Sequence, residues 1–305
     1  MRGPAARVSA CTMAAAMTDS IDDFTRARPR LHGIAYRMLG SVAEAEDLVQ
    51  DIWIRWNAAV HDGVENPEAW LVTATTRLAV DRLRSARVRR NHYEGIWLPE
   101  PWMEQGPATP EQTSALADDV SLAFLVLLER LAPEARAAFL LREVFDADYA
   151  DIAQTLDKSE AACRQMVSRA KAALGAEGPR PAVSRAEHSA LMRRFAQALA
   201  AGDFAGLQAL LADDAQLISD GGGKVKSFLA PLLGSRRIAQ LFYAAHLRHG
   251  DGVRSELVEL NGRTAILRFI GGVLESAQSY QTDGRFITQV LVQRNPDKLA
   301  LIAAR

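Results

Sequence analysis

The hydrophobic period changes along this chain, and the change constrains the fold more than any other feature. Up to about residue 250 the apolar residues recur mostly at helical spacing. Beyond it come alternating runs: SELVEL from Ser255, TAILRFI from Thr264, a strand near Ser276–Gln281, and FITQVLVQR from Phe286. Asn261-Gly262 and Asp283-Gly284 separate such runs, and both dipeptides favour the tight turns of hairpins. The predicted fold class is therefore multi-domain: two all-α domains, the second a helix-turn-helix, followed by an α+β cone with helices on one curved sheet.

Gly and Pro mark the boundaries. GAEGPRP (Gly175–Pro181) ends the helical part, and a Pro-, Gly- and Trp-rich stretch interrupts it earlier. The expected organisation is residues 24–92 as a first helical domain, 93–117 as a linker, 118–178 as a second helical domain, 179–183 as a linker and 184–305 as the cone. Residues 1–23, Ala-rich and with three Met residues, read as a disordered tail or a misassigned start.

The formal net charge of -1 excludes a global basic excess as an argument for nucleic acid. The charge is nonetheless partitioned. Between Arg77 and Arg90 six arginines face one acid, Asp81, whereas 91–128 holds six acids and no Lys or Arg. Two distant cysteines, Cys11 and Cys163, without a Cys/His ligand pattern, speak against a disulfide scaffold and a zinc site and fit a reducing cytoplasm. No apolar run approaches the roughly 20 residues of a membrane helix.

In Glu44–Trp56, Ala45, Leu48, Val49, Ile52 and Trp56 form one apolar stripe. Asp47, Gln50, Asp51 and Ile54 fall on the other side, either a solvated face or a docking face for a basic partner. Asn66 and Pro67 suit the start of the next helix. Its Arg-rich end is either a solvated basic helix favoured by the helix dipole or a phosphate-binding one. Asp148–Leu156 reads as a short helix, Asp157-Lys158 as a turn, and Ser159 as the cap of a helix reaching about Leu174. Cys163, Met166, Val167 and Ala170 share its apolar side, so Cys163 reads as a small core residue. Arg164, Gln165, Ser168 and Arg169 lie mostly opposite, the layout of a DNA-reading helix-turn-helix or of any helical hairpin with a polar face.

Together these segments resemble the extracytoplasmic-function (ECF) sigma factors of the sigma-70 family. RLHGIAYRMLGSVAEAEDLVQDIWIRW (Arg30–Trp56) is similar to their region two, which implies that Asp47, Leu48, Gln50, Asp51 and Trp53 face the clamp of the RNA polymerase beta-prime subunit. WLVTATTRLAVDRLRSARVRR (Trp70–Arg90) resembles the part that opens and reads the minus-ten element, implying contacts from Arg77, Asp81, Arg84 and Arg87. Many family members have Asn where this chain has Arg77. The helix-turn-helix is similar to region four, implying minus-thirty-five recognition by Arg164, Gln165, Ser168 and Arg169. Three strings, WLPEP (Trp97–Pro101), DGGGK (Asp220–Lys224) and NPDKL (Asn295–Leu299), resemble the sigma-J-like subgroup with a SnoaL-like C-terminal domain.

For that subgroup the resemblance implies a cone that tunes promoter and polymerase binding in cis, with no separate anti-sigma factor required. Trp97, Leu98 and Pro99 would meet Asp220, Gly221, Gly222, Gly223 and Lys224 together with Asn295, Pro296, Asp297 and Lys298. The expected partners are core RNA polymerase and promoter DNA, with no membrane, no metal and no cofactor; an unidentified small ligand in the cone stays open. Asp220, Tyr243 and His246 are the only residues in the cone that could serve catalysis. None forms a recognisable pair, and Asp220 reads as a turn residue, so no enzyme is expected. The alternative reading is a conventional helix-turn-helix regulator with a ligand-sensing or catalytic C-terminal domain.

Overall fold

A computed structural model describes residues 5–59, 64–103, 121–175 and 183–304. Residues 104–117 of the predicted linker and 176–181 of the Gly/Pro break lie outside the described residues. The chain divides into two compact units: Met1–Ala86 with Ala132–Ala170, and Arg87–Leu131 with Lys171–Arg305. This division cuts across the three blocks of the sequence: most of the two helical blocks shares one unit, while Arg87–Leu131 shares the other with the cone.

The first unit contains α1 (Ala5–Leu39), α2 (Val42–Ala58) and most of α3 (Pro67–Arg90). Helix α1 includes residues expected to be a disordered tail or a misassigned start; alanine, abundant there, is the best helix former. Gly40, at φ +69°, reverses the chain, and the Ser41 hydroxyl caps α2 by accepting from the Glu44 amide. The predicted stripe of α2 is buried from Ala45 through Trp56, and the Trp56 indole donates to the Ser20 carbonyl at 2.8 Å. Asn66 caps α3 through the Ala69 amide at 3.0 Å.

The helices between and after the linker are α4 (Leu122–Leu128), α5 (Pro133–Glu143), α6 (Tyr149–Leu156) and α7 (Glu160–Gly175). Helix α4 belongs to the second unit. Helices α5 and α6 complete the first unit with all but the last turn of α7. Asp157 ends α6 in the left-handed conformation at φ +53°, and Ser159 accepts from the Ala162 amide to start α7. Ile152, Cys163, Val167 and Ala170 are buried. Burial pushes the Cys163 thiol pKa up, which fits a packing residue rather than a thiolate sensor.

The second unit holds α8 (Arg185–Ala201), α9 (Phe204–Leu210), α10 (Ser235–His249), α11 (Pro296–Ala303) and one sheet of six strands. The strands are β1 (Leu211–Asp220), β2 (Leu232–Leu233), β3 (Val253–Leu260), β4 (Arg263–Ile270), β5 (Val273–Thr282) and β6 (Ile287–Gln293). The sheet order is β2-β1-β6-β5-β4-β3. Strands β3 to β6 form the predicted antiparallel meander, with turns at Asn261-Gly262 and Asp283-Gly284. Strand β1 inserts parallel to β6. Phe195 of α8 meets Phe242 of α10 and Tyr280 of β5 edge to face, at centroid distances of 5.7 and 5.4 Å, in the main core of the cone. Among the described residues no helix is long and apolar enough to cross a membrane.

Candidate functional site

On α2 the helical period leaves Asp47, Gln50 and Ile54 on one exposed face, with Ile54 58% accessible. Asp51 is half-buried and ion-paired with Arg82, and Trp53 packs on the Phe24 ring at 4.8 Å. Leu48 departs from expectation: it is completely buried, because its spacing from Ala45 and Ile52 places it in the apolar stripe. It packs behind the exposed face of α2 and does not form part of it.

The arginines of α3 are engaged within the chain. Arg77 donates from Nε to the Thr155 carbonyl and from Nη2 to the Gln154 carbonyl, both at 2.8 Å, while the Thr73 and Thr155 hydroxyls meet at 3.1 Å. Its partners are therefore the last carbonyls of α6, where the helix leaves acceptors unpaired. Arg84 bridges Asp81 at 2.9 Å and Glu134 at 2.5 Å; the hydrogen bond from Arg84 holds the Glu134 carboxyl below its usual range. In the second unit Arg87 donates to the carbonyls of Glu129 and Leu131, and Arg90 pairs with the Glu129 carboxylate while lying 3.5 Å over the Trp97 ring. The C-terminal end of α3 and the segment after α4 are thereby pinned together.

Helix α7 presents Arg164, Gln165, Ser168 and Arg169 on one exposed face, backed by the buried Cys163, Val167 and Ala170. Arg164 is ion-paired with Glu160 at 2.5 Å and lies 5.0 Å over the Tyr149 ring. Exposed pairs of this kind add little stability and are readily exchanged for a phosphate or a base.

The three sequence strings meet inside the second unit. Asp220, read as a turn residue, does accept from the Gly222 amide two residues on, but it is also completely buried at the end of β1. Its carboxylate accepts from the Tyr93 hydroxyl at 2.6 Å, the Leu98 amide at 2.9 Å, the Gly222 amide at 2.9 Å and the Lys298 ammonium at 2.7 Å. Lys298 also donates to the Leu98 carbonyl at 2.6 Å and sits 4.4 Å from the Trp97 ring centroid. Gln293 donates toward the Leu98 and Pro99 carbonyls, and Asn295 donates to the Tyr93 hydroxyl at 2.9 Å. Burial pushes the Lys298 ammonium pKa down, and Asp220 opposes that shift. Burial, with donation to Asp220, pushes the Tyr93 phenol up.

The glycines let the loop approach this closely. Gly222 and Gly223 adopt φ +61° and +70°, and a β-carbon on either would clash with Asn295 or Glu94. Gly221 is closed in by the Val225 carbonyl, and Lys224 pairs with Asp297 at 2.5 Å on the surface. Asn295 caps α11 and Pro296 opens it, so NPDKL is a helix start. Farther along the linker, the Trp102 amide donates to Asn261 at 3.0 Å, and the Asn261 amide donates back to the Trp102 carbonyl at 2.8 Å.

Four residues of this junction were missed in the sequence: Tyr93, Gln293, Arg90 and Asn261. Gln293 carried the one available signal, a polar residue ending the apolar run VLVQ. Of the other residues considered for catalysis, Tyr243 packs on Phe204 at 5.9 Å, and Asp220 is saturated by the junction. Among the described residues no cluster of three or more His, Cys, Asp or Glu could hold a metal.

Residues 24–89 match the model of Sigma-70 region 2, and residues 121–174 match that of Sigma-70 region 4. The chain is 35% identical to the ECF RNA polymerase sigma factor SigJ of Mycobacterium tuberculosis, over 91% of this chain and 92% of that protein. It is 29% identical to the probable ECF RNA polymerase sigma factor SigI of the same species, over 89% and 92%. The crystal structure of Mycobacterium tuberculosis SigJ superposes with a TM-score of 0.74 at 32% identity, covering 92% of this chain and 98% of that one.

Proposed function

The chain belongs to the ECF RNA polymerase sigma factor family, and from that membership we propose that it directs core polymerase to specific promoters while its C-terminal cone restrains the linker in cis. It acts by binding, without catalysis. In this reading Asp47, Gln50, Asp51 and Trp53 dock on the polymerase clamp. Arg77, Asp81, Arg84 and Arg87 serve the minus-ten element, and Arg164, Gln165, Ser168 and Arg169 read the minus-thirty-five element. No separate anti-sigma factor is needed.

The observation that carries the cis reading is the Asp220 junction, which ties Tyr93 and Leu98 of the linker to Lys298 of the cone. The two promoter elements lie roughly 25 base pairs apart, about 85 Å of duplex at 3.4 Å per pair. A helix-turn-helix hydrogen-bonded to Arg77 cannot reach one element while Arg77 reads the other. The linker must therefore lengthen on the polymerase, and its ends are held by Arg87, Arg90 and Glu129.

Run-off transcription with purified core polymerase tests this reading, comparing the parent chain with Asp220→Asn. Initiation by the parent that changes when the junction is broken supports it. Absence of any initiation would remove the sigma function, and initiation unaffected by Asp220→Asn across promoters would remove the cis control.

A further inference from the structure

The cone holds a half-open cavity of about 250 Å³ between α10 and the sheet. That is slightly under the range of about 300–1,000 Å³ typical of drug-sized ligands, so its occupant is small. Leu217, Leu241, Phe242 and Val292 supply apolar walls. The charged lining is one-signed: Lys226, Arg268 and Arg294 contribute, and no carboxylate does among the described residues that line it. Glu275, outside the lining, pairs with Arg268 at 2.7 Å and with Arg294 at 2.6 Å, so one carboxylate serves two guanidinium groups. A positive excess is left at the cavity.

Two further groups point to an acceptor in this space. The Arg294 side chain is 29% accessible; its Nη1 donates to the Lys226 carbonyl and its Nη2 pairs with Glu275, which leaves each of these nitrogens a second hydrogen to donate. Gln278, 1% exposed, also lines the cavity. It accepts from the Tyr280 hydroxyl at 2.6 Å and uses one of its two amide hydrogens on Ser276.

We propose that this cavity is a binding site for a small monocarboxylate with an apolar body, the carboxylate meeting Arg294 and Lys226 and the body lying along Leu217, Phe242 and Val292. The site has a path to the linker. Ser219 and Arg294, both in the wall, adjoin Asp220 and Gln293 in sequence, and the Arg294 amide donates to the Asp220 carbonyl at 2.8 Å. Occupancy therefore loosens or tightens the grip on Leu98, a consequence that rests on the cis-control reading above.

Calorimetric titration of the full chain with octanoate, and with octan-1-ol as the uncharged arm, tests the site without polymerase or DNA. Saturable 1:1 binding of octanoate, at least tenfold tighter than octan-1-ol, is expected. Ala245→Phe, which fills the cavity from α10, should abolish it, and Lys226→Met should weaken it several-fold if the first variant fails to fold. No saturable octanoate binding, equal binding of the alcohol, or full binding by a folded Ala245→Phe overturns the assignment. Hydrogen exchange at the Leu98 amide, with and without octanoate, tests the consequence separately. An unchanged rate at saturation overturns the effector role, whereas failed initiation in the transcription assay bears only on the sigma reading.

Discussion

The Lys298 ammonium stands 2.7 Å from the Asp220 carboxylate, and the two residues, 78 positions apart, close on the linker between them. Asp220 is fully buried and Lys298 is 15% accessible, so this pair is shielded from the screening that weakens surface pairs. Removing one partner strands the other's charge. Asp220→Asn should lower the unfolding free energy by about 3–5 kcal/mol in denaturant titration. It should also speed chymotryptic cleavage near Tyr93, Trp97 and Trp102. Lys224→Ala, which breaks only the exposed pair with Asp297, should change stability by less than about 0.5 kcal/mol.

Arg77 is a brace between α3 and the end of α6. Arg77→Ala leaves the Gln154 and Thr155 carbonyls without their charged donor and should cost about 1–3 kcal/mol. Amide exchange at the end of α6 and in the turn at Asp157 should accelerate. Unchanged exchange there would show that the brace is absent in solution.

The exposed face of α2 separates a sigma factor from a free-standing DNA-binding regulator. Asp47→Arg alters an exposed position, so thermal stability should hold within about 0.5 kcal/mol. Capture of core polymerase in a pull-down at low salt should nevertheless fall at least tenfold. Undiminished capture would count against α2 as the docking face.

Arg164 offers a test of base reading. Arg164→Ala should weaken binding to duplexes carrying the cognate upstream element by about 1–3 kcal/mol and leave scrambled duplexes nearly unaffected. An equal loss on both would identify a phosphate contact.

His188 should make the cone sensitive to acid. It is buried, its Nε2 donates to the Tyr280 carbonyl at 3.1 Å, and burial holds its pKa below the usual value near 6.5. The unfolded chain therefore takes up a proton that the folded cone resists, and stability falls as pH drops below about 6.5 until the lower folded value is passed. His188→Gln should show a flatter dependence of melting temperature between about pH 7.5 and 5.5 than the parent. A variant that follows the parent's curve would place the acid sensitivity elsewhere.

Much of the local structure was legible from one chain. The stripe of α2, the Asp157 turn, the Ser159 cap and the Asn261-Gly262 and Asp283-Gly284 turns are short-range features, set by side-chain period and by which residues tolerate a left-handed backbone. The exposed front of α7 follows from the same period, since burying Cys163 and Val167 turns Arg164 and Arg169 outward.

Sequence by itself thus determined most of the elements and the family resemblance carried by its motifs, but not the start of α1, the short strand β2 or the helix α11. Tertiary structure alone decided which elements became neighbours. Strand β1 pairs parallel with β6, Arg77 spends its donors on carbonyls 77 and 78 positions away, and Asp220 is a buried acceptor for residues of both linker and cone. The physical reason is that a polar residue's role depends on which donor or acceptor is desolvated beside it, and that partner is brought in by burial of distant apolar surface.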